Sequence, residues 1–280
     1  IALCVKSHAT ESAAKEIARH AGPGTTLISF QNGVSNAERL RAALPRFNVL
    51  QGMVPFNVAR LGNGRWHKGV AGMLWAEDHP ETRALAEAIG KGPGALRLSD
   101  DMVGVAWGKL LINLNNAVNA LSGRTLLEQL SDRDYRRVVA ASQVEALEML
   151  KAAGIKPAQI GPFPPALVPH VIAAPDFLFR QTVLRTQKID ASARSSMADD
   201  FAAGRPTEID CLNGEVVALA RGREALERHA LAGGHDAHEV VRPHRKAMSS
   251  SVARCRIAAP PSSTVLIGVT LLARTMVVFM

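Results

Sequence analysis

Three short apolar runs alternate with amphipathic stretches over the first 55 residues, and few folds accommodate that order. Ile1-Ala-Leu-Cys-Val5, Thr25 to Phe30 and Asn48 to Pro55 have the length and composition of strands covered on both faces. Between them, Thr10 to His20, with Thr10 as the expected N-cap, and Ser35 to Leu44 have helical periodicity. Such alternation predicts a parallel α/β sheet, whose ligands sit beyond the carboxyl ends of the strands. Lys6 and Asn32 fall at such ends. Asn32-Gly33 reads equally well as a turn dipeptide that tolerates positive φ.

Residues 58 to 98 carry the turn signals Gly62-Asn-Gly64 and Gly92-Pro-Gly94 around the run Gly69 to Trp75, with a helix expected over Glu81 to Ile89. A short antiparallel hairpin and one more helix then complete a first domain, residues 1–98. Past the capping-rich junction Leu98-Ser-Asp-Asp101, long amphipathic helices take over: Val103–Leu121, Asp132–Ala153, Asp176–Gln187, Ala193–Ala203 and Thr207–Ala220. A rigid proline connector spans Pro157 to Pro169. An all-helical domain is therefore expected over 99–221. Residues 222–280 form an atypical tail, rich in Arg, His, Ala, Gly and Ser and of poor periodicity. That bias resembles a disordered or out-of-frame segment. Its histidines (His229, His235, His238, His244) match no metal-ligand spacing.

The helix around Trp107-Gly-Lys109-Leu-Leu-Ile-Asn113-Leu-Asn-Asn116 carries an amine and amides where a core helix would carry apolar groups. At about 100° per residue, Asn113 falls about 40° and Asn116 about 20° round from Lys109. One face therefore offers donors to a carbonyl or carboxylate. A solvated lysine beside capping amides explains the pattern as well. Downstream lies Ser195-Ser-Met197, then Gly204-Arg-Pro-Thr-Glu208-Ile-Asp210. In that block Ser196 could cap a helix with Asp199, and Glu208 could sit in a first turn where the helix dipole favours a carboxylate.

Composition narrows the function classes. Aromatic residues are 4% of the chain, too few for a single-strand stacking surface. The net charge is +8, of which residues 222–280 supply +4 through eight Arg or Lys against four Asp or Glu. The rest is spread over 221 residues, so no nucleic-acid partner is expected. Val265 to Met280 is interrupted by Arg274 and is shorter than the roughly 20 residues a spanning helix needs, so no membrane partner is expected. Three cysteines without a CxxC pair suggest a reduced compartment and no metal.

Four blocks resemble the ketopantoate reductase (2-dehydropantoate 2-reductase) family: Val5-Lys6, Phe30-Gln-Asn32-Gly33, Trp107-Gly-Lys109-Leu-Leu-Ile-Asn113, and Ser195-Ser-Met197…Thr-Glu208-Ile-Asp210…Leu212-Asn-Gly214. The likeness covers roughly residues 1–221. It implies a Rossmann-type domain followed by a helical one, with NADPH and a small 2-keto acid in the cleft, in a cytoplasmic enzyme of pantothenate and coenzyme A synthesis. A homodimer is compatible with it. By position, Lys109 matches the family's proton donor, and Asn113 and Ser196 match substrate-holding residues. Asn32 matches a residue near both substrate and cofactor, and Lys6 and Glu208 match cofactor contacts. The family's next amide would fall at Ala117, so Asn116, or Asn119 through a two-residue shift, is expected to replace it.

The sequence contains no Gly-x-Gly-x-x-Gly. The family's first strand, helix and phosphate loop would lie upstream of Ile1, and reductase activity is expected to be impaired in this fragment. Two alternatives stand beside that reading. One is an inactive remnant that serves as a helical interaction module. The other is a reductase of a different 2-keto acid.

Overall fold

The computed structural model describes residues 1–56, 58–62, 65–68, 72–92, 94–185, 189–232, 255–256 and 266–267. Its main sheet has five strands in the order β1–β2–β3–β6–β7, namely Ala2–Leu3, Thr26–Ser29, Asn48–Met53, Leu74–Glu77 and Leu96–Ser99. The first two pairings are parallel, with Ile28 opposite both Ala2 and Leu50. Helices α1 (Thr10–His20) and α2 (Asn36–Ala43) make these crossovers. The expected hairpin is present as β4 (Val58–Gly62) and β5 (Arg65–Lys68).

A wholly parallel sheet is not what forms. β6 runs antiparallel to β3, with Gly52 opposite Ala76. The reason is the content of the connection, not its length: residues 54–73 hold the β4–β5 hairpin and, among the described residues, no helix to carry the chain back across the sheet for a parallel crossover. Helix α3 (Pro80–Ile89) then supplies such a crossover, and β7 lies parallel to β6. Both added strands are only four residues long, too short for their alternation to stand out in the sequence.

Both sheet faces are covered. Leu27 and Val49 pack with Leu3, Ala14, Leu40 and Leu44 beneath α1 and α2, while Ile28, Leu50 and Ala76 form the opposite cluster with Phe30, Leu96 and Leu98. Each fully buried Leu or Ile contributes about 1.5–3 kcal/mol. Strict alternation of neighbours to opposite faces explains why these strands read as unbroken apolar runs.

From residue 102 to residue 232 the regular elements among the described residues are all helical. The single helix expected over Val103–Leu121 forms as α4 (Met102–Asn113) and α5 (Asn115–Ser122). Leu114 between them keeps helical angles (φ −57°, ψ −24°), so the Lys109 face runs on without a turn. Asp101 caps α4 by accepting the Gly104 N–H at 2.8 Å. A short α6 (Leu126–Ser131) follows, closed by a Thr125–Glu128 capping box, and Asp132 caps α7 (Arg133–Ala152). After α8 (Val168–Ile172), the segment expected as one helix from Asp176 begins as α9 (Asp176–Phe179) and widens to a π-turn at Arg180–Leu184.

Two further helices, α10 (Ser196–Ala202) and α11 (Ile209–Ala232), follow, and beyond them Cys255–Arg256 (β8) pairs antiparallel with Leu266–Ile267 (β9). Helix α11 runs past the boundary expected at residue 221, and it includes His229. His235, His238 and His244 lie outside the described residues.

Trp107, Leu110, Leu111 and Leu114 pack with Ala146, Leu150 and Val216, which locks α4 against α7 and α11. Ala117 and Ala120 pack with Met197, Ala198 and Leu212, which locks α5 against α10 and α11. On its other side, α4 carries the proline connector directly on its backbone. The Ala158 N–H donates to the Gly104 carbonyl at 2.8 Å. A Cβ at Gly108 would lie 2.1 Å from the Ala158 carbonyl oxygen. Among the described residues, no helix is long and apolar enough to cross a membrane.

Candidate active site

The carboxyl ends of β1 and β2 meet the segment leading into α11. After β1 the chain stays extended at Lys6 (φ −66°, ψ 152°) and then tightens into a single 3-10 turn, Ser7–Ala9, ahead of α1. After β2, Gly33 takes φ +92°, and a Cβ there would lie 2.7 Å from the Cys211 carbonyl oxygen. Only glycine allows this approach, which brings Asn32 against Glu208, the residue before α11.

Glu208 is 8% exposed. Its Oε1 accepts the Ser7 N–H and the Ser7 hydroxyl, each at 2.9 Å, and its Oε2 accepts the Asn32 Nδ2–H at 3.1 Å. Its carboxylate therefore also sits at the start of the helical segment Ser7–His20, where the backbone dipoles favour negative charge. That is a different place from the one expected. Glu208 does not lie in the first turn of its own helix but ends another, from 201 residues away in sequence.

Lys6 forms an ion pair with Asp200, whose other oxygen accepts the Arg205 Nε–H at 3.0 Å. Burial works to raise the Asp200 carboxyl, but the hydrogen bonds from Lys6 and Arg205 prevail and hold it below the usual aspartate range. The stabilisation this provides is complete above the ordinary aspartate range and is lost as pH falls through the folded value. Asp200→Asn should therefore lower Tm at pH 7, by the equivalent of about 1 kcal/mol given that both cations reach solvent, and flatten the acid limb of a Tm-against-pH curve. An acid limb as steep as the parent's would remove Asp200 from this account.

Lys109 lies on α4, where burial alone pushes its ammonium down to about 8 from 10.5. The residue as a whole is half-buried, and among the described residues no carboxylate offsets the desolvation of its ammonium. The expectation of a solvated lysine is thus the weaker one for this residue. Asn113, one turn on, is buried, and Asn116 is half-buried. Ser196, the first residue of α10, is exposed. The cap expected at Ser196 belongs instead to Ser195, whose Oγ accepts the Ala198 N–H, leaving the Ser196 hydroxyl unused in capping.

Two expectations need correction. Asn119 has no exposed surface, and both ends of its amide are in use: Nδ2–H donates to the Arg124 carbonyl and Oδ1 accepts the Ser195 N–H at 2.9 Å. It braces the turn that carries Ser196 and is not placed to touch a substrate. Thr10 does not cap α1. Its hydroxyl is committed to the preceding turn, at 2.8 Å from the Ser7 carbonyl oxygen, and the cap position is Ala9.

Hydrogen bonds thus join Asn32 to Glu208 and Lys6 to Asp200. Among the described residues none of them joins Lys109, Asn113 or Ser196 to that network. The roles of Ser7, Asn36 and Asp200 escape a reading of the chain, because each acts on a residue far away in sequence. For Ser7 the only signal is its place after Lys6.

The site has known counterparts. Residues 1–81 match the family model described as ketopantoate reductase PanE/ApbA, and residues 101–225 match its C-terminal counterpart. The 2-dehydropantoate 2-reductase of Halobacterium salinarum is 27% identical over 230 residues, covering 80% of this chain and 70% of that protein. The 2-dehydropantoate 2-reductase of Pyrobaculum aerophilum is 31% identical over 195 residues, covering 68% of this chain and 60% of that protein. Among solved structures, a PanE/ApbA family ketopantoate reductase from Ralstonia eutropha superposes with a TM-score of 0.65 at 26% identity, over 81% of this chain and 69% of its own. Two models of one family, in the right order, one over most of the sheet and one over the helical part, leave a single assignment: the chain belongs to the ketopantoate reductase family.

Proposed function

We propose that this chain derives its chemistry from an NADPH-dependent reduction of 2-dehydropantoate to pantoate, with Lys109 as the proton donor. The observation that carries the reading is the Lys109 ammonium, buried without a compensating carboxylate and lowered to about 8. An acid works best when its value lies near the operating pH. As a hydride reaches the ketone carbon, negative charge grows on the oxygen, and a desolvated ammonium beside it both stabilises that charge and protonates it.

Asn113, on the same helix face, and Ser196, with its free hydroxyl, supply donors suited to the substrate's carboxylate and hydroxyl. Lys6, Asn32 and Glu208 lie where a parallel sheet presents its ligands. The residues at the strand ends suit the nicotinamide half of the cofactor: Glu208 takes the Asn32 amide nitrogen, which turns the Asn32 carbonyl oxygen away from it. When bound, that cofactor supplies the hydride.

The test is NADPH oxidation, followed at 340 nm, with 2-dehydropantoate and with a panel of smaller and larger 2-keto acids. Preference for 2-dehydropantoate and for NADPH over NADH supports the reading. Preference for another 2-keto acid would reassign the substrate. Retained helical content and self-association with no cofactor binding would favour an interaction module instead.

A further inference from the structure

Ser7 has no exposed surface, and its hydroxyl is the centre of a buried set of hydrogen bonds. Its hydroxyl has one hydrogen and three groups in reach, Glu208 Oε1 at 2.9 Å, the Asn32 backbone carbonyl oxygen at 3.0 Å and the Cys211 sulfur. A carboxylate is the stronger acceptor, so the proton goes to Glu208. The Asn36 amide nitrogen then uses its two hydrogens on the Ser7 Oγ and the Asn32 backbone carbonyl. Neither is orphaned, which matters because an unpaired buried polar group costs about 1–3 kcal/mol.

Glu208 thereby receives three donors, two of them from Ser7. It acts purely as an acceptor, and its grip on Nδ2 fixes which way the Asn32 amide is turned. Among the described residues, the Asn32 side-chain oxygen Oδ1, unlike the backbone carbonyl, has no hydrogen-bond partner.

We infer that Ser7 is a positioning residue: with Asn36 it immobilises the Glu208 carboxylate, which orients Asn32 so that its side-chain oxygen is offered to an N–H group of a bound ligand, such as a primary carboxamide. The identity of that ligand rests on the proposed nicotinamide-dependent reading. The arrangement of Ser7, Glu208 and Asn32 does not.

The experiment has two readouts. The first is solvent exchange of the Asn32 side-chain amide by 15N NMR. The hydrogen donated to Glu208 should be protected in the parent chain. Ser7→Ala should speed its exchange about tenfold, the loss expected for one hydrogen bond to a charged group, and Glu208→Gln should do likewise. The second is kinetic. Ser7→Ala should raise KM for NADPH about tenfold, more than it lowers kcat, and Ser7→Thr, which keeps the hydroxyl, should restore both.

Unchanged Asn32 exchange in Ser7→Ala would overturn the inference. If Ser7→Ala fails to fold, the parent and Glu208→Gln decide: no protection in the parent overturns it, and protection lost in Glu208→Gln supports it. A chain that shows the exchange pattern but whose affinity for NADPH is unchanged by Ser7→Ala would refute the nicotinamide reading of the site and leave the role of Ser7 standing.

Discussion

Lys109→Ala is expected to lower kcat for 2-dehydropantoate by about 10²–10⁴-fold, the usual worth of a positioned general acid, with little change in the far-ultraviolet circular dichroism. In the parent chain the rate should fall as pH rises through about 8, where the ammonium loses its proton. The same burial makes a second, independent prediction. Lys109 binds its proton less tightly folded than unfolded, so between about 8 and 10.5 the unfolded chain carries more protons and stability climbs with pH across that window. Below it, the full penalty of a buried ammonium is present. Lys109→Met should consequently raise Tm at pH 7 and remove the climb. An unaltered kcat would dismiss Lys109 as the acid, and a lowered Tm in Lys109→Met would show that the ammonium is stabilised after all.

Gly108→Ala should be nearly as damaging, although alanine is the better helix former. The added methyl would lie 2.1 Å from the Ala158 carbonyl oxygen and 3.1 Å from a side-chain carbon of Ile160. The obstacle is backbone, anchored one turn earlier by the Ala158–Gly104 hydrogen bond, so it cannot swing aside as a side chain would. Helix α4 or the connector must move. Overpacking of this kind typically costs about 1–3 kcal/mol. Because Lys109 is the next residue, displacement of α4 by about 1 Å would misplace the acid and cost on the order of 10²-fold in kcat. Gly22→Ala is the control: nothing lies within 4 Å of a Cβ there, and its effect should stay within about 0.5 kcal/mol. Equal Tm and kcat for Gly108→Ala and the parent would show that the connector yields freely.

Much of this was legible beforehand. The first three strands, the helices α1, α2, α3 and α7, and the capping junction that ends at Asp101 follow from periodicity and capping chemistry, which act over a few residues. Lys109 and Asn113 stood out because an amine and an amide share one helical face. The short strands β6 and β7 did not stand out, and neither did the reversal between β3 and β6, since pairing direction depends on how the intervening chain returns. Asn119 looked like a donor for substrate, but its neighbours come from residues 124 and 195 and consume both ends of its amide. Ala117, where an amide was expected, is occupied in packing α5 against α10 and α11.

The sequence by itself determined the local elements, the order of an α/β part and a helical part, and which side chains could do chemistry. Only the tertiary structure decided which of them meet. Glu208 is held by Ser7 across 201 residues, and Lys6 by Asp200 across 194. The lowered Lys109 ammonium is equally a tertiary property, because desolvation comes from atoms packed around it and not from the helix that bears it. Periodicity reports on neighbours along the chain. Burial and hydrogen-bond partnership report on neighbours in space, and at this site those are the groups that decide what each residue can do.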